Sequence, residues 1–373
     1  MQGMKLSAGW NWFSSYIDIN GEAGLVKLQD ALNPYGVQIK NDEGFTQYTE
    51  GQGWSGPTLT SVSVKEMYMI NMTEDHELQL KGKLVDPAQN AITLEHGWNW
   101  IGYQLNQELD LNDALSKLSA NNGDFIKTHN GIAQYIQGYG WWGTLTTMKP
   151  GVGYMYDNIS ADDNTLVYSY PEEGAKTELR TNVTSDNNRW VPVSYKYAHN
   201  MNIIAVVEGM ESENYEVAAF VDGEVRGSAR PIYVEPLDAN IVFLTIYGDD
   251  VEEMTFKCYD LATGEEYDLN NRMNYSDDAV VGSIDNPYLL SRGTTGIGES
   301  AMSEVNIYPN PTTTGSEVNL GSVCDTVEVF NALGVKIAEY TNVDAIDALE
   351  TAGIYVIRIT NDGNVQNCRL IVK

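Results

Sequence analysis

Leu6-Ser7-Ala8-Gly9-Trp10-Asn11-Trp12 decides the fold of the N-terminal half, because it recurs as Leu94-Glu95-His96-Gly97-Trp98-Asn99-Trp100. Residues downstream recur in the same order at an offset of 86 to 88 residues. The matching pairs are Ile39-Lys40 with Ile126-Lys127, Gly44–Tyr48 with Gly131–Tyr135, Gly51–Gly56 with Gly138–Gly143, and Met67–Met69 with Gly153–Met155. Ordered matches at a near-constant spacing indicate two copies of one unit, a first repeat at residues 1–90 and a second repeat at residues 91–175.

Each repeat has the pattern of a small sheet covered by one helix. A strand begins at Gly-Trp-Asn-Trp, and a hairpin follows through Gly44 or Gly131. Between them, apolar residues recur at i, i+3, i+4 and i+7, which places them on one face of a short amphipathic helix. These residues are Leu25, Leu28, Ala31 and Leu32 in the first repeat, and Leu111, Ala114, Leu115 and Leu118 in the second.

Over residues 180–292 the sequence pattern changes to longer runs of alternating residues, which are typical of strands. Turn signals at Asp222-Gly223, Gly248-Asp249 and Thr263-Gly264 separate them. About seven strands at this spacing predict a β-sandwich. The apolar runs are Trp190–Val193, Met201–Val207, Tyr215–Val221, Ile241–Tyr247 and Met254–Tyr259.

A linker at residues 293–302 leads to a last domain, residues 303–373. The domain begins with Val305-Asn306-Ile307-Tyr308-Pro309-Asn310-Pro311, where two prolines predict a stiff, extended lead-in. Short apolar runs with Asn and Gly turns follow, which is typical of a small antiparallel β-sandwich. The chain as a whole is therefore expected to be mainly β and multi-domain, with two small α+β repeat units followed by two Ig-like β-sandwiches.

The last domain resembles a known family. Its Tyr-Pro-Asn-Pro run, Val329–Gly334, Ala352–Ile359 and basic C-terminal residue resemble the C-terminal sorting domain of proteins exported by the type IX (Por) secretion system of Bacteroidetes. The resemblance implies a secreted or outer cell-surface protein that meets the secretion machinery through residues 303–373. One departure is Asn367-Cys368-Arg369, where such domains usually carry lysines.

Two further resemblances point to the same bacteria. The repeats are similar to Gly-Trp-Asn modules that stand ahead of the sorting domain in surface proteins. Residues 216–227, with Phe256–Asp260 and Gly282–Tyr288, resemble an Ig-like module that commonly precedes it. Both resemblances indicate in which proteins such modules occur, and neither implies an activity.

The formal net charge of −30 argues against nucleic acid and anionic membranes as partners, because both need a basic surface. Three cysteines form neither a zinc ribbon nor a disulfide framework, although Cys324 and Cys368 could pair. No apolar run is long enough for a membrane helix. Residues 1–20 lack the pattern of a signal peptide, so we expect the chain to be part of a longer exported protein.

Aromatic side chains are the candidate ligand contacts, because their rings stack on sugars and other flat partners. The candidates are Trp142, Trp141, Trp54, Tyr135 and Tyr48. The alternative is that the recurring aromatics are core, as expected for Trp10, Trp12, Trp98 and Trp100. Trp142 stands apart because its counterpart is Ser55, so we expect it to be exposed and to contact a ligand.

Acidic loops suggest calcium, the one cofactor that the sequence offers. The candidate ligands are Asp277, Asp278, Asp285 and Asp260, which could meet at one end of the sandwich. Their spacing matches no EF-hand. The alternative is a solvated acidic surface.

The sequence favours a non-catalytic protein. Its four histidines stand in separate contexts, and it contains no HExxH, GxSxG, phosphate-loop or GxGxxG motif. We expect adhesion or binding of an extracellular glycan, or of a protein on a host or neighbouring cell. An alternative is the accessory and sorting tail of a secreted hydrolase, a protease or glycosidase, whose catalytic domain lies upstream. A third is that the repeats are spacers.

Overall fold

The computed structural model describes residues 1–19, 21–56, 58–171, 179, 188–210, 212–292, 307, 312–331, 335–361 and 364–373. The fold is mainly β and multi-domain, as predicted. The chain divides into two compact units. Unit 1 comprises Met1–Ile284 and Tyr288–Gly293, and unit 2 comprises Asp285–Pro287 and Thr294–Lys373. The domain boundaries expected at residues 90, 175 and 292 stay predictions.

The described residues of the first repeat form nine strands and one helix. They are β1 Gln2–Leu6, β2 Gly9–Ser14, β3 Ile17–Asp18, α1 Gly21–Leu32, β4 Gly36–Lys40, β5 Phe45–Thr49, β6 Gly53–Ser55, β7 Met67–Met72, β8 His76–Leu80 and β9 Lys83–Leu84. The second repeat, after a 3₁₀ turn at Pro87–Gln89, contains β10 Ile92–Leu94, β11 Gly97–Gly102, β12 Leu109–Asp110, α2 Leu111–Ala114, β13 Phe125–Thr128, β14 Gly131–Ile136, β15 Gly140–Gly143, β16 Thr147–Met148, β17 Gly153–Asn158 and β18 Asn164–Leu166.

The rest of the chain is built from longer strands. Unit 1 continues with β19 His199–Val207, β20 Tyr215–Val221, β21 Glu224–Ala229, β22 Pro231–Val234, β23 Ala239–Gly248, β24 Glu253–Asp260, β25 Glu266–Asn274, β26 Val280–Val281 and β27 Tyr288–Leu290, with 3₁₀ turns at Ser194–Lys196 and Glu235–Leu237. Unit 2 contains β28 Glu317–Phe330, β29 Lys336–Asp347, β30 Gly353–Asn361 and β31 Asn364–Val372.

Each repeat has one five-stranded sheet. The strand orders are β2-β7-β4-β5-β6 and β11-β17-β13-β14-β15, so equivalent strands occupy equivalent places. We call the face that packs on the repeat's own core the inner face. In the first repeat the inner face meets α1 and the β1-β8 pair through Leu28, Ile39, Tyr68 and Leu78. The opposite, outer face carries the alternate side chains of every strand.

The Gly-Trp-Asn-Trp motif builds a turn at the edge of each sheet. The Asn11 side chain accepts a hydrogen bond from the Ser7 N–H at 2.8 Å and donates to the carbonyls of Ser7, Gly9 and Ile70. Gly9 has a φ of +92°, which a residue without a Cβ adopts readily. The second repeat has the same pattern of bonds, formed by Asn99 with Glu95, Gly97 and Tyr156.

The predicted helices differ in length. The first repeat has the expected helix α1, with Leu25, Leu28 and Leu32 buried. In the second repeat Leu111, Ala114 and Leu115 are buried, but α2 is a single turn. Small polar side chains compete with the helix there, since the Ser116 hydroxyl donates to the Asp113 carbonyl and Asn112 accepts from the Trp141 N–H.

Two sheets face each other over residues 188–292. One has the order β22-β23-β19-β26, with β27 also paired to β19, and the other has the order β21-β20-β24-β25. Their common core includes Ile203, Val217, Leu244 and Phe256. Strands β26 and β27 run parallel to β19. The prediction of a strand at residues 190–193 is wrong, because those residues form no strand.

Unit 2 contains one antiparallel sheet of order β29-β28-β30-β31 around an apolar core. Between Asn319 and Cys324 the register of β28 shifts against β29, which bends the strand. The residues Tyr308–Pro311 lie outside the described part of the chain. Cys324 and Cys368 are thiols in this structure and form no disulfide.

The turn motif gives a first prediction. Asn11→Ala removes four hydrogen bonds and leaves buried backbone groups without partners, so unit 1 is expected to lose about 2 kcal/mol of unfolding free energy. Urea unfolding followed by tryptophan fluorescence measures this, because all eight tryptophans lie between residues 10 and 190. The exposed Gln79→Ala is the control, and equal stability of the two variants would contradict the assignment.

Candidate functional site

The outer faces of the two sheets meet at a tryptophan cluster. We use this name for Trp10, Trp12, Trp98 and Trp100 together with Met67, Met69, Met155 and Ala198. Trp12 is 3% exposed, and its indole N–H donates to the Ala198 carbonyl at 2.9 Å. The cluster therefore joins the two repeats to the β-sandwich. The sequence expectation that these four tryptophans are core describes Trp12 fully, while the other three are half-buried.

Lys127 is a fully buried ammonium group at this joint. Its Nζ atom donates to Asp278 Oδ1 at 2.8 Å, to Asn200 Oδ1 at 3.0 Å and to the Asn200 carbonyl at 3.2 Å. The same atom lies 4.8 Å from the centre of the Trp98 ring. Burial lowers the pKa of Lys127, and the neighbouring Asp278 opposes that shift. The pair links the second repeat to the loop before β26.

Lys40 holds the equivalent position in the first repeat. Its Nζ atom lies 4.7 Å from the Trp10 ring centre and 2.9 Å from His199 Nε2. Burial lowers the pKa of both Lys40 and His199. Because an ammonium group can only donate, the imidazole accepts through Nε2. The two lysines thus reach consecutive residues of β19, His199 and Asn200.

The turn between β13 and β14 is hydrogen-bonded to the sandwich beside these lysines. The Asn200 amide donates to the carbonyls of Thr128 and His129, and the Tyr247 hydroxyl donates to Asn130 Oδ1 at 3.0 Å. His129 is 4% exposed and donates through Nε2 to the Tyr197 carbonyl. Burial lowers the pKa of His129 to about 4.

These groups were missed as a site in the sequence, although one signal was present. Ile39-Lys40 of the first repeat recurs as Ile126-Lys127 in the second. A lysine at the same place in a strand of both repeats needs a polar partner if it is buried. Each of the four shifted lysine and histidine side chains at the joint bonds to another element of unit 1. Their arrangement is that of a structural joint. Lys127 and the Nε2 atoms of both histidines are hydrogen-bonded there, whereas the buried Nδ1 atoms of His129 and His199 have no hydrogen-bond partner among the described residues.

Four of the five aromatic candidates lie on or beside the inner faces. Trp141 is 2% exposed within the core of the second repeat, and Tyr135 packs against it. Trp54 packs on the core of the first repeat and donates to Asn33 Oδ1 at 3.2 Å. Tyr48 is half-buried, with its ring edge-to-face to Trp54. Repetition of these residues reflects their packing, which was the alternative reading of the sequence.

Trp142 corrects an expectation. It lies on the outer face of β15 and is half-buried, not exposed, because it packs against an apolar cluster that contains residues of the sandwich, Ile284 and Phe243 among them. On the same face, Gln134 Oε1 accepts a hydrogen bond from the Ile284 N–H at 2.6 Å. The tryptophan differs from Ser55 because the second sheet is covered by the sandwich at this position.

The four aspartates proposed for calcium have separate roles. Asp278 pairs with Lys127, and Asp260 accepts from the backbone N–H groups of Ala262 and Thr263. Asp277 and Asp285 are exposed. Among the described residues, no group of three or more Asp, Glu, His or Cys side chains could hold a metal ion. The structure therefore does not gather these carboxylates into a site.

The comparisons with known proteins concern the C-terminal residues first. Residues 306–373 match the family described as "Secretion system C-terminal sorting domain". The protein is secreted to the cell surface. This confirms the expected location and the type IX secretion resemblance of the last domain. Within the described ranges, no helix has both the length and the apolar character needed to cross a membrane.

Three individual proteins are similar over parts of the chain. "Ulvan lyase NLR42" from Nonlabens ulvanivorans is 28% identical over 138 residues, which cover 34% of this chain and 25% of that protein. The match therefore spans a quarter of the length of this curated relative. Among solved structures, an amphioxus IgVJ-C2 molecule is 11% identical with a TM-score of 0.14, covering 46% of this chain and 96% of that chain. Extracellular domains 3–5 of Drosophila OTK are 11% identical with a TM-score of 0.11, covering 47% and 61%.

The packing of Trp142 gives a second prediction. Trp142→Ser, which copies Ser55, removes apolar contacts with the sandwich and is expected to lower the unfolding free energy by about 2 kcal/mol. Chemical denaturation of the full chain measures the loss, and Tyr139→Ser, at a residue 62% exposed, is the control. An unchanged stability in the Trp142 variant would contradict this packing and would favour the exposed contact residue that the sequence suggested.

His129 gives a third prediction, on pH. The folded protein holds this side chain neutral down to a pKa of about 4, whereas the unfolded chain takes up its proton near pH 6.5. The contribution of His129 is therefore complete above pH 6.5 and is lost as the pH falls towards 4, in all about 3 kcal/mol. Lys127 and His199 face His129 and lower its pKa further, after the effect of burial.

The difference between wild type and His129→Gln isolates this effect from the many carboxylates. Unfolding free energies between pH 7 and 4 are expected to fall more steeply in the wild type than in the variant. His96→Gln, at an exposed histidine, is the control and should follow the wild type. Parallel curves for wild type and His129→Gln would contradict the prediction, because they would mean that the imidazole takes up its proton equally readily in the folded and unfolded states.

Proposed function

We propose that this protein acts at the cell surface without catalysis, in adhesion or in binding an extracellular glycan or a protein of a host or neighbouring cell. The observation that carries the proposal is the engagement of its reactive side chains. Lys40, Lys127, His129 and His199 have shifted pKa values, which often mark catalytic groups. Here each one bonds across the joint between the repeats and the sandwich.

A rigid joint suits a binding protein. It holds the two five-stranded sheets and the sandwich as one compact unit, and the outer face of the first sheet carries exposed side chains at β5 and β6. A preorganised surface loses little conformational entropy when it binds a partner. The sorting domain provides the route to the surface, through the secretion machinery.

A second function is favoured by one observation. The partial similarity to a protein named ulvan lyase supports a role as the accessory and sorting part of a secreted polysaccharide-cleaving enzyme. The two functions agree that the described residues bind and do not cleave. They differ in the ligand, because an accessory part is expected to bind the polymer that its enzyme cleaves.

The fourth prediction tests both with the full chain. Affinity electrophoresis through gels containing ulvan, other polysaccharides or none is expected to show retardation by at least one polymer. Incubation with the same polymers should release neither new reducing ends, which hydrolysis produces, nor unsaturated sugars, which lyases produce. Retardation by ulvan alone would favour the accessory role, and release of either product would refute the non-catalytic assignment.

A further inference from the structure

A row of polar side chains crosses the whole outer face of the first sheet. Strand register places Trp10 beside Asn71, Asn71 beside Gln38, Gln38 beside Gln47, and Gln47 beside Ser55. We call these five residues the amide row. Neighbouring strands lie about 4.8 Å apart, so the row is about 19 Å long.

The equivalent row of the second sheet is covered. It consists of Trp98, Asp157, Phe125, Gln134 and Trp142 in the same register. Phe125 and Trp142 pack against apolar residues of the sandwich, and Gln134 accepts the Ile284 N–H. This face of the sheet is therefore a contact surface in the second repeat, and its side chains match the apolar element that covers it.

The amide row has a different chemistry. Trp10, at one end, lies in the tryptophan cluster, and the other four side chains are polar. Gln47 and Ser55 are exposed, and Gln38 and Asn71 are half-buried. Within the described ranges, the side chains of the three amides make no hydrogen bond, so their donors and acceptors are available to a ligand. Phe45, two residues before Gln47 on the same face of β5, is 41% exposed and adds a ring for stacking.

We propose that the amide row binds an uncharged, hydroxyl-rich glycan strand, with one sugar ring on Phe45 and hydroxyl groups on Gln38, Gln47 and Ser55. This rests on the proposed binding function and names its site and ligand class. Amide groups both donate and accept, as sugar hydroxyls do. The spacing of the strands is close to the length of one sugar residue in an extended chain, so successive sugars can lie over successive strands.

Charge favours an uncharged glycan over an anionic one. The row itself carries no charged side chain, and Lys40 beside it is already bonded to His199. The net charge of −30 repels anionic polymers. A protein segment fits less well, because the apolar cover seen on the second sheet would leave the amides of the row without partners.

The fifth prediction is a binding experiment on the full chain. Isothermal titration with neutral hexasaccharides of glucan, xylan and mannan is expected to show binding to at least one of them. Gln47→Ala should weaken that binding about fivefold, as expected for the loss of one or two hydrogen bonds. Phe45→Ala should weaken it about tenfold through lost stacking.

Controls separate this proposal from the general function. Gln79→Ala removes an exposed amide on β8 and should bind as the wild type does. All three variants alter exposed side chains, so their unfolding midpoints should remain near that of the wild type. A glycan bound equally by Gln47→Ala and Phe45→Ala would overturn the site and leave the binding function standing.

Other results would contradict the proposal that the ligand is an uncharged glycan. Binding of anionic oligosaccharides alone would overturn the uncharged glycan while supporting the general function. Concentration-dependent dimers that the Phe45 variant abolishes, without any glycan binding, would assign the face to a second copy of this chain. No binding to any polysaccharide or cell-surface protein would refute both the site and the function.

Discussion

The buried ammonium group of Lys127 constrains the whole of unit 1. A charge removed from water must be paired, and the pairing of Lys127 requires Asn200, Asp278 and the Trp98 ring at once. Asn200 belongs to β19, Asp278 to the loop before β26, and Trp98 to β11 of the second repeat. The sandwich can therefore dock on the repeats in one arrangement only, which also places Ala198 on Trp12 and Ile284 on Gln134.

That single arrangement breaks the equivalence of the two sheets. Both have the same strand order and place a lysine over the first tryptophan of the motif. In the second sheet, Phe125, Ile132 and Trp142 of β13, β14 and β15 carry the contact between the outer face and the sandwich. The first sheet carries Gln38, Phe45 and Ser55 at those places and meets solvent. One backbone design thus provides an internal joint in one repeat and an open surface in the other.

Sequence patterns predicted what is local. The repeats, the Gly-Trp-Asn-Trp strands and the helix α1 follow from spacing and composition, and the long strands from β19 to β24 lie close to their apolar runs. Patterns failed where distant segments decide the outcome. Trp142 was expected to be exposed because its counterpart is a serine, but the apolar cluster that it packs against contains sandwich residues far along the chain. The four aspartates were grouped as a calcium site because their loops could meet at one end of the sandwich. In the folded chain, Asp278 instead forms an ion pair with Lys127, which is distant in the sequence.

The open sheet face has an evolutionary consequence. The side chains of Gln47 and Ser55 are exposed, so mutations there alter the surface at little cost to folding. The covered face of the second repeat has no such freedom, because each change must still fit the sandwich. Of two modules with this strand order, the one under the sandwich is constrained by its neighbour, and the other can change its exposed outer side chains independently.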